Sequence, residues 1–464
     1  MKHAIFAPRI FPLAILAATV LVVASGTSFA ASQRTFVASN GVDAGNLTCS
    51  LANPCRSFNV AIGNTNPGGE VVILDTAGYG SMTITKSLTV IGPSGVYGGI
   101  SVITPGTDGI TINAGNGDTI KLRGLDVTGL GGMNGINIIN AAGVHIEHSS
   151  ISNFGDDNGA CVNVASGANT IRVYVVDSFL RQCRIGVLAK GTAVIANRSS
   201  VTIDNSRFER GLNTGASTLN YGIVLQGSID VLIRNSALSR YSAAVRFVDP
   251  LGGAVSHLTI AGSEINRSNA GVQIANTVAS GISEVSITNT QIADNADGIN
   301  VSNTAVGGNI TLAIADSHIA YSAANGVTLS NSAADSNTRV FLEMARSQIT
   351  NLVGNGIDLS ATNGSKTYVV ARDSSLSHMA TALRTSGSSP ISASLVRSQI
   401  NNVTTAVDHG AGVVRLDGNH IVRSANDFVN NGSGNIVSNG LNMVHDIDNL
   451  SGFTYITPSV IPLK

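Results

Sequence analysis

The feature that most constrains this chain is a repeat, clearest between Val285 and Val301. Val285 and Ile287 alternate with polar residues, a polar turn follows, Ile292 stands alone between two turns, and alternation resumes at Ile299 and Val301 behind Gly298. The same order recurs around Ile265, Ile319 and Ile349. With the lone apolar residue as marker, the series runs Val127, Ile151, Leu180, Phe208, Leu238, Ile265, Ile292, Ile319, Ile349, Leu376, Ile400, Ile421, in steps of about 21 to 30 residues.

A unit of this size cannot bury its apolar side alone and must stack on a neighbour, which is the condition for a solenoid. Within each unit the apolar spacing is two, the strand period, and helical spacing is missing. Three short strands with their turns use up one unit, so the expected fold is an all-β parallel β-helix of about twelve coils. At roughly 4.8 Å per coil the rod is about 55 to 60 Å long. Asn134-Gly135, Asp297-Gly298, Asn325-Gly326 and Asn355-Gly356 share one phase of the repeat. They read as a corner turned through left-handed backbone, which Gly and Asn tolerate best.

The 464 residues are only 12% charged, with 51 Gly, no Trp and a formal net charge of −1. No basic run or interleaved aromatic pattern suits nucleic acid. Residues 1–30 read as a signal peptide: Lys2 and Arg9 open it, Leu13 to Ala24 is uncharged and apolar, and Ser28-Phe29-Ala30 offers a cleavage point. That run is too short to span a bilayer. The expectation is a secreted or periplasmic chain with no stable membrane span after cleavage. Residues 31–66 read as an N-terminal cap, 67–450 as the β-helix and 451–464 as a C-terminal tail. Within the cap, Phe58 to Ile62 carries helical apolar spacing and reads as a plug for the open end of the core.

Four cysteines in an exported chain are candidates for disulfides. Cys49 and Cys55 lie close enough to close a small loop. Cys161 and Cys183 sit on successive coils, with Cys183 earlier in its coil, and either pair across a turn or stay as buried thiols. No His accompanies either pair, so no metal is implied.

Asn53-Pro54-Cys55-Arg56-Ser57-Phe58, then Gly68-Gly69-Glu70-Val71, Gly78-Tyr79-Gly80 and the stretch Ile84 to Gly92, resembles the opening of secreted bacterial right-handed parallel β-helix proteins of the pectate-lyase-like superfamily. The resemblance covers about Thr35 to Asn449 and implies the right-handed fold. It is weak for activity, because that fold carries lyases, hydrolases, esterases, epimerases, tailspikes and adhesins. Of the polygalacturonase-like motifs, only the paired acids are matched, at Gly155-Asp156-Asp157-Asn158, and an acidic turn explains them without catalysis. The pectin-methylesterase-like stretch and the clustered Asp and Arg of calcium-dependent lyases are missing.

Residues at one phase of neighbouring coils lie one interstrand spacing apart. Counting from the markers aligns His148 with Asp177 and Asn205, and Glu147 with Val176, Asp204 and Arg234; Arg207 and Arg181 fall close in register. A His beside an Asp, with carboxylates and guanidiniums nearby, can supply a general acid and base. The same set also forms an exposed charge ladder. A second column, Glu264, Gln291, His318, Gln348, Ser375, Gln399 and His420, is amide-rich and suits a binding face. Few aromatics remain to stack on sugar rings. The sequence thus points to a structural or binding protein presenting a polar face to a polysaccharide or cell-envelope partner, with no cofactor. The alternative is a carbohydrate-active enzyme using His148, Asp177, Asp204, Arg207 and Arg234.

Overall fold

In the computed structural model the described residues are 31–156, 159–165, 169–192, 198–211, 219–248, 255–432, 434–439 and 441–445. Residues 1–30 and 451–464, which the sequence reading takes as signal peptide and tail, and Asp157 and Asn158 lie outside them. The chain winds into a parallel β-solenoid of about thirteen turns. The sequence markers stop short at both ends: Val444 pairs with Ile421, and Ile100 pairs with Val127, but the strand of Ile100 opens on Gly98-Gly99, which hides the alternation.

Each coil contributes to three strips. Strip one is a 16-stranded parallel sheet, represented by Ile282–Thr288. Strip two consists of short strands such as Gln291–Ala293. Strip three consists of longer ones such as Asp297–Asn303. Alternation sends Val285, Ile287, Ile292, Ile299 and Val301 inward, all nearly or fully buried. Register is one to one, so Ile265, Ile292, Ile319 and Ile349 form a continuous aliphatic stack.

The corner between strips one and two is two residues long. Its first residue is left-handed, with φ near +50° at His148, Asp177, Asn205, Asn235, Asn289 and Asp316. Its second residue is a buried Ser or Thr whose oxygen receives a backbone N–H from the preceding coil. Thr290 N–H donates to Ser317 Oγ, Ser317 N–H to Ser347 Oγ and Ser347 N–H to Ser374 Oγ, each at 3.2 Å. Each hydroxyl in turn donates to the carbonyl two residues back, as Ser317 does to Ala315 at 2.8 Å. This ladder satisfies the polar groups that a tight buried corner would otherwise leave unpaired.

The Asn-Gly and Asp-Gly pairs do a different job from the one expected. Gly135, Gly298, Gly326 and Gly356 are not left-handed. Each lies at the start of strip three, where successive backbones crowd together. A Cβ on Gly326 would sit 2.6 Å from Ile349 Cγ2 and 2.8 Å from the Gly356 carbonyl oxygen. Gly326→Ala is therefore expected to destabilise by about 1 to 3 kcal/mol through overpacking. A denaturation midpoint equal to the parent's would contradict the close approach.

At the N-terminal end, Ser32–Val37 pairs with Thr65–Ile73 as the first strand of strip one. Its outer edge is covered by the loop that the Cys49–Cys55 disulfide closes. Phe36 N–H donates to Cys49 O at 2.8 Å and Cys55 N–H to Phe36 O at 2.9 Å. Helix Phe58–Gly63 buries Phe58, Ala61 and Ile62 over the core. The disulfide loop thus covers the strand edge and the helix covers the open core.

Toward the C-terminal end strips two and three fuse into single strands, Ser375–Gly387, Gln399–His409 and His420–Asn430. His409 is buried there, its Nδ1 2.9 Å from Thr385 Oγ1. That hydroxyl already accepts from the N–H groups of Gly410 and Ala411, so its proton points to a neutral imidazole. Burial holds the His409 pKa below its ordinary 6.5. The unfolded chain therefore binds this proton first. Stability from His409 is full above pH 6.5 and falls as pH drops from there through the folded-state value. Melting between pH 8 and 5 should show a loss that His409→Gln reduces; an unchanged slope would count against it.

Candidate functional site

The strips bring Glu147, Val176, Asp204 and Arg234 into one register at the end of strip one, as the spacing indicates. Beside them, His148 Nε2 lies 3.6 Å from Asp177 Oδ2, and Asn205 Nδ2 donates to Asp177 Oδ1 at 2.5 Å. Asp204 pairs with Arg234 at 2.7 Å and accepts from Asn235 at 3.1 Å. Arg207 is in register with Phe179, not with Arg181, which faces Glu209. The two guanidiniums flank the Phe179 ring, at 5.9 and 5.4 Å from its centroid. The shift of two residues arises because Arg181 follows its coil's marker while Arg207 precedes its own.

His148 and Arg207 open onto different depressions. His148 belongs to a cleft of about 490 Å³ with Arg123, Gly124 and the Pro93-Ser94-Gly95 turn. Arg207 lines a different groove of about 600 Å³. Asp177, Asp204 and Arg234 line neither. The side chain of His148 is 54% exposed and that of Asp177 35%, so solvent screens the pair.

The larger groove runs along the corner between strips one and two. Its floor is the serine ladder at Ser206, Ser236, Ser263 and Thr290; its walls include Asn205, Asn235, Asn289 and Asp316 on one side and Arg207, Glu264, Gln291 and His318 on the other. Glu264, Gln291 and His318 in the second wall are the first three members of the amide-rich column read from the sequence, which continues beyond the groove. Glu264, Gln291, His318, Gln348, Ser375, Gln399 and His420 face one another in unbroken register. On the opposite rim Asp316 and Asp373 are each held by two hydrogen bonds, from Arg346 and Arg397. Those guanidiniums keep both carboxyls below the usual carboxylate range.

A further charged ladder escapes the sequence reading. On the outer face of strip one, His257 Nδ1 lies 2.7 Å from Asp230 and Nε2 3.0 Å from Glu284, with Arg198 3.5 Å from Asp230. Asp230, His257 and Glu284 each precede their coil's marker by eight residues; counting that far back would have aligned them. No group of three or more His, Cys, Asp or Glu among the described residues is arranged to hold a metal ion. No described helix is long and apolar enough to cross a membrane.

Parallel strips, stacked aliphatic columns and polar outer rows define a β-solenoid, the architecture shared by pectate lyase, alginate epimerase and other β-helix proteins. Pectate lyase Pel9A is similar at 12% identity over 94% of this chain and 83% of its own, with a TM-score of 0.28. The periplasmic alginate epimerase AlgG is similar at 10% over 79% of each chain, TM-score 0.38. PfbA, a surface adhesin of Streptococcus pneumoniae, is similar at 12% over 80% of this chain and 87% of its own, TM-score 0.33. At this distance the likeness is one of architecture alone. No family model matches the sequence, and no curated protein matches it.

Proposed function

We propose that this is an exported β-helix binding protein, secreted or periplasmic, that holds an extended glycan or cell-envelope polymer along the groove between strips one and two. The observation that carries the reading is the unbroken column from Glu264 to His420. It repeats at about 4.8 Å per coil, about the length of one sugar unit in an extended chain. Amide, hydroxyl and imidazole groups at that spacing can exchange hydrogen bonds with successive sugar hydroxyls. The preformed solenoid keeps the ordering cost on the protein side small. His148 and Arg207 line different clefts, and this supports binding over turnover, because a general acid and base must reach one substrate atom together.

The test is a panel of acidic and neutral polysaccharides in affinity electrophoresis, with new reducing ends and unsaturated products measured alongside. Binding without turnover is expected. Gln291→Ala with Gln348→Ala should weaken it about tenfold or more, from about 1 kcal/mol per lost hydrogen bond. Asp177→Asn with Asp204→Asn should leave it unchanged. Turnover in the parent, lost in that second pair while binding persists, would replace this reading with an enzyme at the His148 to Arg234 patch.

A further inference from the structure

The corner between strips two and three has the same left-handed backbone as the first corner but a different choice of residues. At the first corner, Asn, Asp or Gly fills every left-handed position from His148 to Gly418 except His148, Arg346 and Arg397. Each exception is paired across a coil, with Asp177, Asp316 or Asp373. At the second corner, long side chains dominate. Gln182 (φ +54°), Arg210 (+56°), Arg240 (+65°) and Arg267 (+54°) occupy it on four successive coils. Left-handed backbone disfavours such residues, and they persist in it where something other than folding selects them. Arg240 has a partner, Glu209 at 3.3 Å. Among the described residues, Arg210 and Arg267 have no carboxylate partner.

A cleft of about 170 Å³ opens at this corner, lined by Phe179, Arg181, Gln182, Glu209, Arg210 and Arg240. Its three guanidiniums and one carboxylate leave a formal charge of +2 (three minus one) in a chain whose net charge is −1. Arg207, paired with Glu209 at 3.2 Å, also lines the groove of the first corner, so cleft and groove flank the same strip. We infer that this cleft is a binding site for a doubly charged oxyanion ester, a phosphate group carried on a sugar. The charge decides the class. A single carboxylate or a sulfate ester, each with one negative charge, would leave one guanidinium unneutralised, whereas a phosphate dianion matches the excess and offers several acceptors to forked donors. The location favours a sugar carrier, because the adjoining groove is the one assigned to a glycan; to that extent the choice of carrier rests on the function proposed above, while the anion site does not.

The experiment titrates the full chain with glucose 6-phosphate, glucose 6-sulfate, glucuronate, glucose and inorganic phosphate by calorimetry. Vesicles containing phosphatidic acid form a separate arm. The 6-phosphate should bind, glucuronate and the singly charged 6-sulfate at least about fivefold more weakly, and glucose not at all. Arg210→Asn with Arg240→Asn keeps residues that accept left-handed backbone, so it should fold and melt at or above the parent temperature. It should lose at least about tenfold in affinity for the 6-phosphate, for charge-assisted bonds removed, and keep neutral-glycan binding in the groove. Equal binding of glucose and its 6-phosphate, or parent-like affinity in the double variant, would overturn the site. Glucuronate or the 6-sulfate binding as tightly would overturn the dianion class, and binding to vesicles alone would overturn the sugar carrier. Failure of neutral glycans in the groove, with the 6-phosphate still bound, would sink the groove reading and leave the anion site.

Discussion

Ile292→Asp is expected to lower the stability of the solenoid by about 3 to 5 kcal/mol, the range for a buried charge without a partner. Ile292 is fully buried and stacked between Ile265 and Ile319, with Gly271 closing over it. No cation reaches that layer: the side chains of its coil that carry charge point outward. Because each coil contacts only its neighbours, the damage should centre on the coils of Ile265 and Ile319. Exchange protection of their amides should fall most. Gln291→Asp, one residue away on the outer face, should stay within about 0.5 kcal/mol. Ile292→Asp melting like the parent would refute the inward stack.

Replacing Cys161 and Cys183 together by Ala is expected to cost about 3 kcal/mol, the chain-entropy value for a loop of this size. The two are bonded, 22 residues apart in sequence, with Cα atoms 5.6 Å apart. Cys161 sits in strip three and Cys183 at the second corner of the next coil, so the bridge ties adjacent coils diagonally. Reductant should lower the parent's denaturation midpoint by a similar amount and leave the double variant's unchanged on that account. Parent-like stability in the double variant would mean the bridge constrains little. The smaller Cys49–Cys55 loop, with a separation of 6, should contribute less.

Strand spacing and register were legible because they depend only on counting: a period of two within strands and a fixed marker between coils placed Glu264, Gln291 and His318 in one row. The chemistry of the corners was less so. A Ser two residues before each marker, at Ser263, Ser317 and Ser347, was visible in the sequence. Its role as a buried ladder depended on which backbone groups the corner leaves unpaired. The Gly of Asn325-Gly326 suggested left-handed backbone, yet what selects it is the approach of the Gly356 carbonyl from another coil. Clefts were not legible at all, since their walls are residues from three to five coils whose side-chain directions alternate.

The most direct test of the groove is the affinity of the chain for oligosaccharides of increasing length from a polymer it binds, with product formation followed in the same samples. A linear column of one polar group per coil predicts that affinity rises with each added sugar over about seven coils, or about 30 Å. The rise should stop early when Gln348→Ala interrupts the row, with no new reducing ends or unsaturated products formed. Affinity that levels off at one or two sugars, or cleavage of the bound chain, would contradict it.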